Sequence, residues 1–244
     1  MTVDARNHGD SPHTDTMTYP LMASDLASLV QRLGLGVVSL AGHSMGGRTV
    51  MMAALDKVID IDKLIVLDIS PINQKFDVTS SNEWNMEHYF HCLKNVQFNQ
   101  SLSVSMARRD ADRQLALRIK EPGLRAWLLM NMRQDPKTKE IGWRINIDGI
   151  HEAFYKNIAK FPDITSSYGG YVCMKLENIF AMKSDSFRPT LFIGGACSDY
   201  IPVTDHPEIQ EIFPRAQFSY VQEAGHWVHS QRPADVIELM NNFL

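Results

Sequence analysis

The feature that most constrains the fold is an apolar run, Val37–Ala41, that leads directly into Gly42-His43-Ser44-Met45-Gly46. This pentapeptide fits G-x-S-x-G, the pattern of a nucleophile elbow, in which a tight turn between a buried strand and a helix exposes a serine hydroxyl. The residues that follow, Gly47–Leu55, favour a helix. The two glycines on either side of the serine are expected to prevent collisions between strand and helix. The pattern predicts a strand, turn and helix with Ser44 as the candidate nucleophile.

Strand and helix patterns alternate on both sides of this elbow. Apolar spacing predicts a helix over Tyr19–Leu33, before the elbow strand. Further predicted strands are Leu64–Leu67, Thr190–Gly194 and Ala216–Val221, and further predicted helices are Pro207–Phe213 and Pro233–Leu244. Strands that alternate with helices form parallel sheets, so the sequence predicts an α/β fold with a mostly parallel sheet flanked by helices.

The stretch from 72 to 188 has a different character, with helical segments rich in methionine, aromatic and polar residues. We therefore expect a core domain made of residues 1–71 and 189–244, with residues 72–188 inserted into it as a helical lid. Three tryptophans of this stretch, Trp84, Trp127 and Trp143, are candidates to line an acyl pocket. Large aromatic side chains also commonly fill a core, so that alternative stays open.

Composition argues against several classes of partner and cofactor. A net charge of -4 and a pI near 6.1 give no general attraction to nucleic acid or to anionic membranes. The three cysteines lack the spacing of a disulfide framework or a zinc site. No apolar stretch approaches the roughly 20 residues that span a bilayer, and the polar N-terminus does not resemble a signal peptide. We expect a soluble protein with no transmembrane or targeting segment in this sequence.

A nucleophilic serine needs a histidine base, and usually an acid that orients the histidine. His226 is the best candidate among the nine histidines, because it lies between a predicted strand and the last predicted helix. This position also gives the chain order serine, acid, histidine that is typical of enzymes with such an elbow. His43, His206 and His229 are weaker candidates, since an isolated histidine is more often a polar contact than a catalyst.

The sequence leaves the acid open among three aspartates. Asp68 is favoured because it ends the strand after the elbow helix, and ligand-facing groups gather at the carboxyl ends of parallel strands. Asp148, in the predicted lid, is the main alternative. Asp199 ranks third, because the position where an acid is typical after the strand Thr190–Gly194 is occupied by Ser198.

Several segments, taken together and in this order, resemble the α/β-hydrolase domain-containing protein 11 family and its bacterial esterase relatives. They are Val3–Pro12, Gly42–Gly47, Leu67–Pro71, Trp143–Asn146, Phe213–Gln217 and Ala224–His229. The resemblance implies the α/β-hydrolase fold and a serine esterase or lipase that cleaves carboxylic ester or thioester bonds through an acyl-enzyme. It implies a small-molecule or acyl ester substrate, and neither a metal nor an organic cofactor. In eukaryotes it implies a mitochondrial location, and otherwise a cytoplasmic one is expected. Within the family, the positions of Asp68 and Asp148 both have a claim to be the acid.

The sequence departs from this family in two places. Before the segment that matches Val3–Pro12, family members carry several strands and a His-Gly loop that donates one oxyanion hydrogen bond. Without that loop, the backbone amide of Met45 is the expected oxyanion donor, and a catalytically impaired fragment or binding module is the alternative function. The second departure is a probable insertion at residues 168–185.

Overall fold

The computed structural model describes residues 1–73, 86–162 and 188–244. Contacts between residues divide the chain into two compact units. One contains Met1–Met17 and the described part of Lys75–Lys156, and the other contains the described parts of Thr18–Gln74 and Asn157–Leu244. The predicted insertion at 168–185 and Trp84 lie outside the described residues.

The elements are numbered in chain order. The helices are α1 (Tyr19–Arg32), α2 (Met45–Leu55), α3 (Met86–Lys94), α4 (Val104–Ala116), α5 (Pro122–Leu128), α6 (Ile147–Ala153), α7 (His206–Ile212), α8 (Val228–Gln231) and α9 (Pro233–Phe243). The strands are β1 (Val38–His43), β2 (Ile61–Leu67), β3 (Met132–Gln134), β4 (Ile141–Trp143), β5 (Thr190–Gly195) and β6 (Ala216–Val221). Short 3-10 turns cover Leu129–Asn131 and Val203–Asp205, and a π-helical turn covers Phe154–Ile158.

The second unit contains a sheet of four parallel strands in the order β1-β2-β5-β6. The prediction of an α/β fold with a parallel sheet is therefore confirmed. The predicted strands and helices in this unit lie within three residues of the observed bounds. Local apolar patterns were sufficient here because the apolar residues of each element recur within a short window of the sequence.

Helices cover both faces of this sheet. A Cβ added to Gly47 in α2 would lie 3.2 Å from Cγ1 of Val66, so α2 packs on the face to which Val66 points. The neighbours Ile65 and Leu67 belong to a buried cluster that packs against α9. Successive side chains of a strand point to opposite faces, so α2 and α9 lie on opposite sides of β2.

The carboxyl ends of the four parallel strands meet at one edge of the sheet. Ser44 follows β1, and Asp68 follows β2. Ser198 lies three residues after β5, and His226 lies in the loop after β6. Because parallel strands end at the same edge, side chains far apart in sequence are brought to one place.

The first unit is mainly helical and has its own hydrophobic core. It also contains an antiparallel hairpin of β3 and β4, which the sequence did not predict because strands of three residues are too short to show alternation. The Trp143 indole donates to the carbonyl of Leu93 at 3.1 Å and packs edge-on against Phe98. Trp143 thus packs on the core of this unit, whereas Trp127 is 41% exposed. The role of residues 72–188 as a lid stays a prediction.

The N-terminal turn is held within the first unit through Asn7, which is fully buried and has a φ of 66°. Its side-chain oxygen accepts hydrogen bonds from the amide of Thr14 at 2.7 Å and from the side chain of Asn146 at 3.1 Å. The backbone carbonyl of Asn7 also accepts from the amide of Asn146 at 2.9 Å. Two segments that carry the family resemblance, Val3–Pro12 and Trp143–Asn146, are therefore joined by hydrogen bonds.

Candidate active site

Ser44 occupies the turn between β1 and α2 in an unusual backbone conformation, with φ 52° and ψ -117°. Such a conformation costs on the order of 1–3 kcal/mol and persists only where the surroundings hold it. The Ser44 amide donates to the carbonyl of Leu67 at 3.0 Å, and the Ser44 carbonyl accepts from the amide of Arg48 at 3.0 Å. The first bond attaches the turn to the last residue of β2, and the second attaches it to the first turn of α2.

The close approach of β1 and α2 depends on Gly42. A Cβ at Gly42 would lie 2.2 Å from the carbonyl oxygen of Gly46, a backbone atom that cannot move away easily. The expectation for Gly46 itself was wrong, because a Cβ there would meet nothing within 4 Å. The second restricted position is Gly47, where a Cβ would lie 2.6 Å from Cγ2 of Ile69. The sequence pattern therefore located the turn correctly, but of the two glycines expected to be sterically restricted, only Gly42 is.

His226 lies between Ser44 and Asp68. Its Nε2 is 3.1 Å from Ser44 Oγ, and its Nδ1 is 2.9 Å from Asp68 Oδ2. An ionised carboxylate only accepts hydrogen bonds, so Nδ1 carries the proton. In the neutral ring, Nε2 then holds a lone pair that can accept the serine proton. The three side chains have the geometry of a nucleophile, a base and an orienting acid.

Asp68 is completely buried, with a φ of 47° that turns it away from β2. Its backbone amide donates to the carbonyl of Ile193 at 2.9 Å. Oδ1 accepts from the amide of Gly195 at 2.8 Å, and Oδ2 accepts from the hydroxyl of Ser198 at 2.5 Å as well as from His226. A buried carboxylate needs such donors because it has lost its hydration.

The other two aspartates considered from the sequence have exposed side chains. Asp148 belongs to the first unit, is 86% exposed at its side chain, and pairs with Lys94 at 2.7 Å. Asp199 is exposed, one residue after Ser198. Ser198 itself was noted only as the occupant of a typical acid position. In the structure it donates to the carboxylate that follows a different strand, a role that no local pattern indicates.

We expect Ser198→Ala to lower kcat by about tenfold or somewhat more, because a hydrogen bond to a charged group contributes about 1.5–3 kcal/mol. Ser198→Thr keeps the hydroxyl and is the matched control. Steady-state kinetics on a p-nitrophenyl ester would measure both variants. Equal rates for Ser198→Ala and the parent protein would contradict this role of the hydroxyl.

The loop that carries His226, Ala224–Trp227, is called the histidine loop below. It packs directly on the segment that follows β5, where the amide of Cys197 donates to the carbonyl of Ala224 at 2.8 Å. A Cβ at Gly195 would lie 2.4 Å from the carbonyl oxygen of Gly225, so only glycine permits this approach. Sequence reasoning missed Gly195, because its restriction comes from a loop about 30 residues away along the chain.

Aromatic rings surround the His226 imidazole. Tyr200 stacks on it with ring centroids 4.0 Å apart and an interplanar angle of 27°, and His43 lies 4.7 Å away. Burial, together with the proximity of His226, lowers the pKa of His43 to about 4. Burial also lowers the pKa of His229, and it raises the pKa of Tyr200. At neutral pH these neighbours are therefore uncharged, and they do not repel a proton on His226.

The depressed pKa of His43 predicts a pH-dependent stability. The ordinary histidine value is 6.5, so the unfolded state binds a proton between pH 6.5 and about 4 that the folded state does not. The stability from this residue is fully present above pH 6.5 and decreases by about 3 kcal/mol as the pH falls to about 4. We expect His43→Gln to lose this part of the dependence in urea unfolding at the two limits. Equal decreases in parent and variant would contradict the expectation.

The backbone amide of Met45 is the first of α2. The first amides of a helix have no intrahelical partner, and they lie at the positive end of the helix dipole. The Met45 amide is therefore suited to stabilise an oxyanion formed next to Ser44.

Within residues 1–73, 86–162 and 188–244, no group of three or more histidine, cysteine or acidic side chains could hold a metal ion. None of the helices in the described ranges is long and apolar enough to cross a membrane.

Comparisons with known proteins agree on one family. The sequence profile described as alpha/beta hydrolase fold matches residues 1–233. The chain is 38% identical to the sn-1-specific diacylglycerol lipase ABHD11 of Danio rerio, over 100% of this chain and 68% of that protein. It is 28% identical to esterase YbfF of Escherichia coli, over 99% of this chain and 81% of that protein. The solved structure of a marine microorganism esterase is 34% identical in sequence and superposes with a TM-score of 0.80. The match covers 99% of this chain and 83% of the esterase chain.

Proposed function

The chain belongs to the α/β-hydrolase fold family, and within that family we propose that Ser44, His226 and Asp68 are its catalytic triad. The relatives named above are lipases and esterases, and the chain is a carboxylic ester hydrolase of this superfamily. The observation that carries the residue assignment is the continuous hydrogen-bonded path from Ser44 Oγ through His226 to Asp68 Oδ2.

In the acylation step, Ser44 Oγ attacks the ester carbonyl carbon while His226 Nε2 takes the serine proton. The tetrahedral intermediate carries a negative charge on the former carbonyl oxygen, and the Met45 amide supports that charge. When the carbon–oxygen bond to the alcohol breaks, His226 returns its proton to the leaving alkoxide. The products of this step are the free alcohol and an acyl group on Ser44.

In the deacylation step, His226 removes a proton from a water molecule as the water attacks the acyl-enzyme. The acid is released, and His226 returns the proton to Ser44. Asp68 remains ionised throughout and stabilises the imidazolium that forms twice in each cycle. The three donors to its carboxylate, from Gly195, Ser198 and His226, hold it in the orientation that keeps the proton on Nδ1.

We propose an acylglycerol ester as the substrate class. The support is the Danio rerio relative, a diacylglycerol lipase specific for the sn-1 position, which matches all of this chain. Esterases of unspecified substrate are also among the relatives, so a short soluble ester is the alternative substrate.

A diacylglycerol with different acyl chains at sn-1 and sn-2 tests this substrate assignment. We expect the sn-1 fatty acid to be released, and we expect none from the Ser44→Ala variant. Turnover of p-nitrophenyl butyrate without release from diacylglycerol would reject the acylglycerol substrate but retain the ester hydrolase. A folded protein that binds both esters and hydrolyses neither would support a binding module instead.

For a eukaryotic source we also propose a mitochondrial location, on the strength of the family resemblance alone. Fractionation of cells that express the full-length protein would test it. Recovery of the protein outside the mitochondrial fraction would reject the proposal without affecting the assignment of the triad.

A further inference from the structure

His43 is the residue immediately before the nucleophile, and it makes a hydrogen bond to the backbone of the base. Its Nε2 lies 2.7 Å from the carbonyl oxygen of His226. A carbonyl oxygen only accepts hydrogen bonds, so Nε2 of His43 must carry the hydrogen. The last residue of β1 is thereby linked directly to the residue that is to receive the proton of Ser44.

The ring of His43 also packs against three aromatic side chains in or next to the histidine loop. Ring centroids lie 4.7 Å from His226, 5.3 Å from Trp227 and 4.4 Å from His229. The same side chain therefore contacts the loop through one hydrogen bond and two ring contacts, and it contacts the start of α8 through a third ring. A displacement of His43 would remove support from both the backbone and the side chain of His226.

The titratable groups that face His43 are His226, His229 and Asp68. A positive charge on His43 would oppose the imidazolium that His226 becomes during catalysis. Burial and the two neighbouring histidines keep His43 neutral, although Asp68 favours its charged form. A neutral donor at this position can hold the carbonyl of His226 without an electrostatic cost to the protonated base.

We infer that His43 is a positioning residue, whose imidazole donates Nε2–H to the carbonyl of His226 and fixes the distance between the base and Ser44. This inference rests on the proposed role of His226 as the general base. If the donor is lost, the part-buried carbonyl loses this hydrogen bond and the histidine loop relaxes. A displacement of about 1 Å between reacting groups can lower a rate by about a hundredfold.

Two substitutions separate the donor from the ring. His43→Phe keeps an aromatic ring and removes the donor, whereas His43→Gln keeps an N–H donor of similar reach and removes the ring. We expect His43→Phe to lower kcat by about 30-fold while KM changes by less than about threefold, since positioning of the base affects chemistry more than binding. We expect His43→Gln to recover kcat to within about fivefold of the parent.

The matched control is His206→Phe. His206 is also a part-buried histidine whose Nε2 bonds to an oxygen, the Tyr220 hydroxyl, and whose ring stacks on Phe218. We expect this variant to keep kcat within about twofold when rates are divided by the folded fraction. If His43→Phe does not fold, His43→Met, which has the length of glutamine without a donor, replaces it.

Equal kcat values for the variants with and without a donor would overturn the inference, and so would a rise in KM at unchanged kcat. Ser44→Ala is measured in the same series. If Ser44→Ala retains turnover, the proposed triad fails. If Ser44→Ala is inactive and His43→Phe matches the parent, only the positioning role of His43 fails.

Discussion

Ser44→Ala is expected to lower kcat for ester hydrolysis by about a millionfold, as when the nucleophile of a serine triad is removed. The physical reason is that Ser44 is the only residue of the elbow Gly42–Gly46 with a hydroxyl group. Alanine also fits the space of serine, although it must adopt the same φ of 52°, so a loss of stability is to be measured alongside. Steady-state kinetics and labelling by a fluorophosphonate probe both report the change.

Ser39→Ala is the matched control for this experiment. Ser39 lies on β1, the same strand that leads to the elbow, and it is exposed. We expect kcat within about twofold of the parent and full labelling, since an exposed substitution of this kind changes free energies by about 0.5 kcal/mol or less. Persistent labelling in Ser44→Ala would show that another residue is the nucleophile.

Asp68→Asn is expected to lower kcat by about ten-thousandfold, as when an asparagine replaces the acid of a serine triad. The asparagine amide can donate to Nδ1 of His226, which moves the imidazole proton to Nε2. That nitrogen then has no lone pair for the proton of Ser44. The side-chain shape is kept, so the buried position remains filled while the charge is lost. The pH dependence of kcat/KM and the melting temperature would be measured together.

Asp148→Asn and Asp199→Asn are the comparisons that decide between the three aspartates. Asp148 is exposed and paired with Lys94, and Asp199 is exposed, so both changes are expected to alter kcat by about twofold or less. A loss of several orders of magnitude in Asp148→Asn, with Asp68→Asn near the parent, would assign the acid to Asp148 and reject the hydrogen-bonded path described above.

The strands and helices of the second unit could be predicted from the sequence because their signals are local. The elbow, the helix Tyr19–Arg32 and the strand Ala216–Val221 each carry an apolar pattern that is complete within a short window. The hairpin of β3 and β4 was missed because a strand of three residues is too short to show an alternating pattern.

The contacts that determine the site are not local. Asp68 reaches His226 only because β2, β5 and β6 lie side by side and end at the same edge, an order that the sequence does not encode in any one segment. The roles of Ser198 and Gly195 depend on the same convergence. The sequence could therefore rank the three aspartates, but the contact between Asp68 and His226 follows from strand order.

The most direct test of the triad is chemical trapping of the acyl group. The parent protein would be mixed with p-nitrophenyl butyrate, quenched in acid during turnover, digested, and analysed by mass spectrometry. We predict a butyryl group on the peptide that contains Ser44, and its absence from Ser44→Ala. A butyryl group on a different residue, or rapid turnover with no acylated peptide, would contradict hydrolysis through an acyl-enzyme at Ser44.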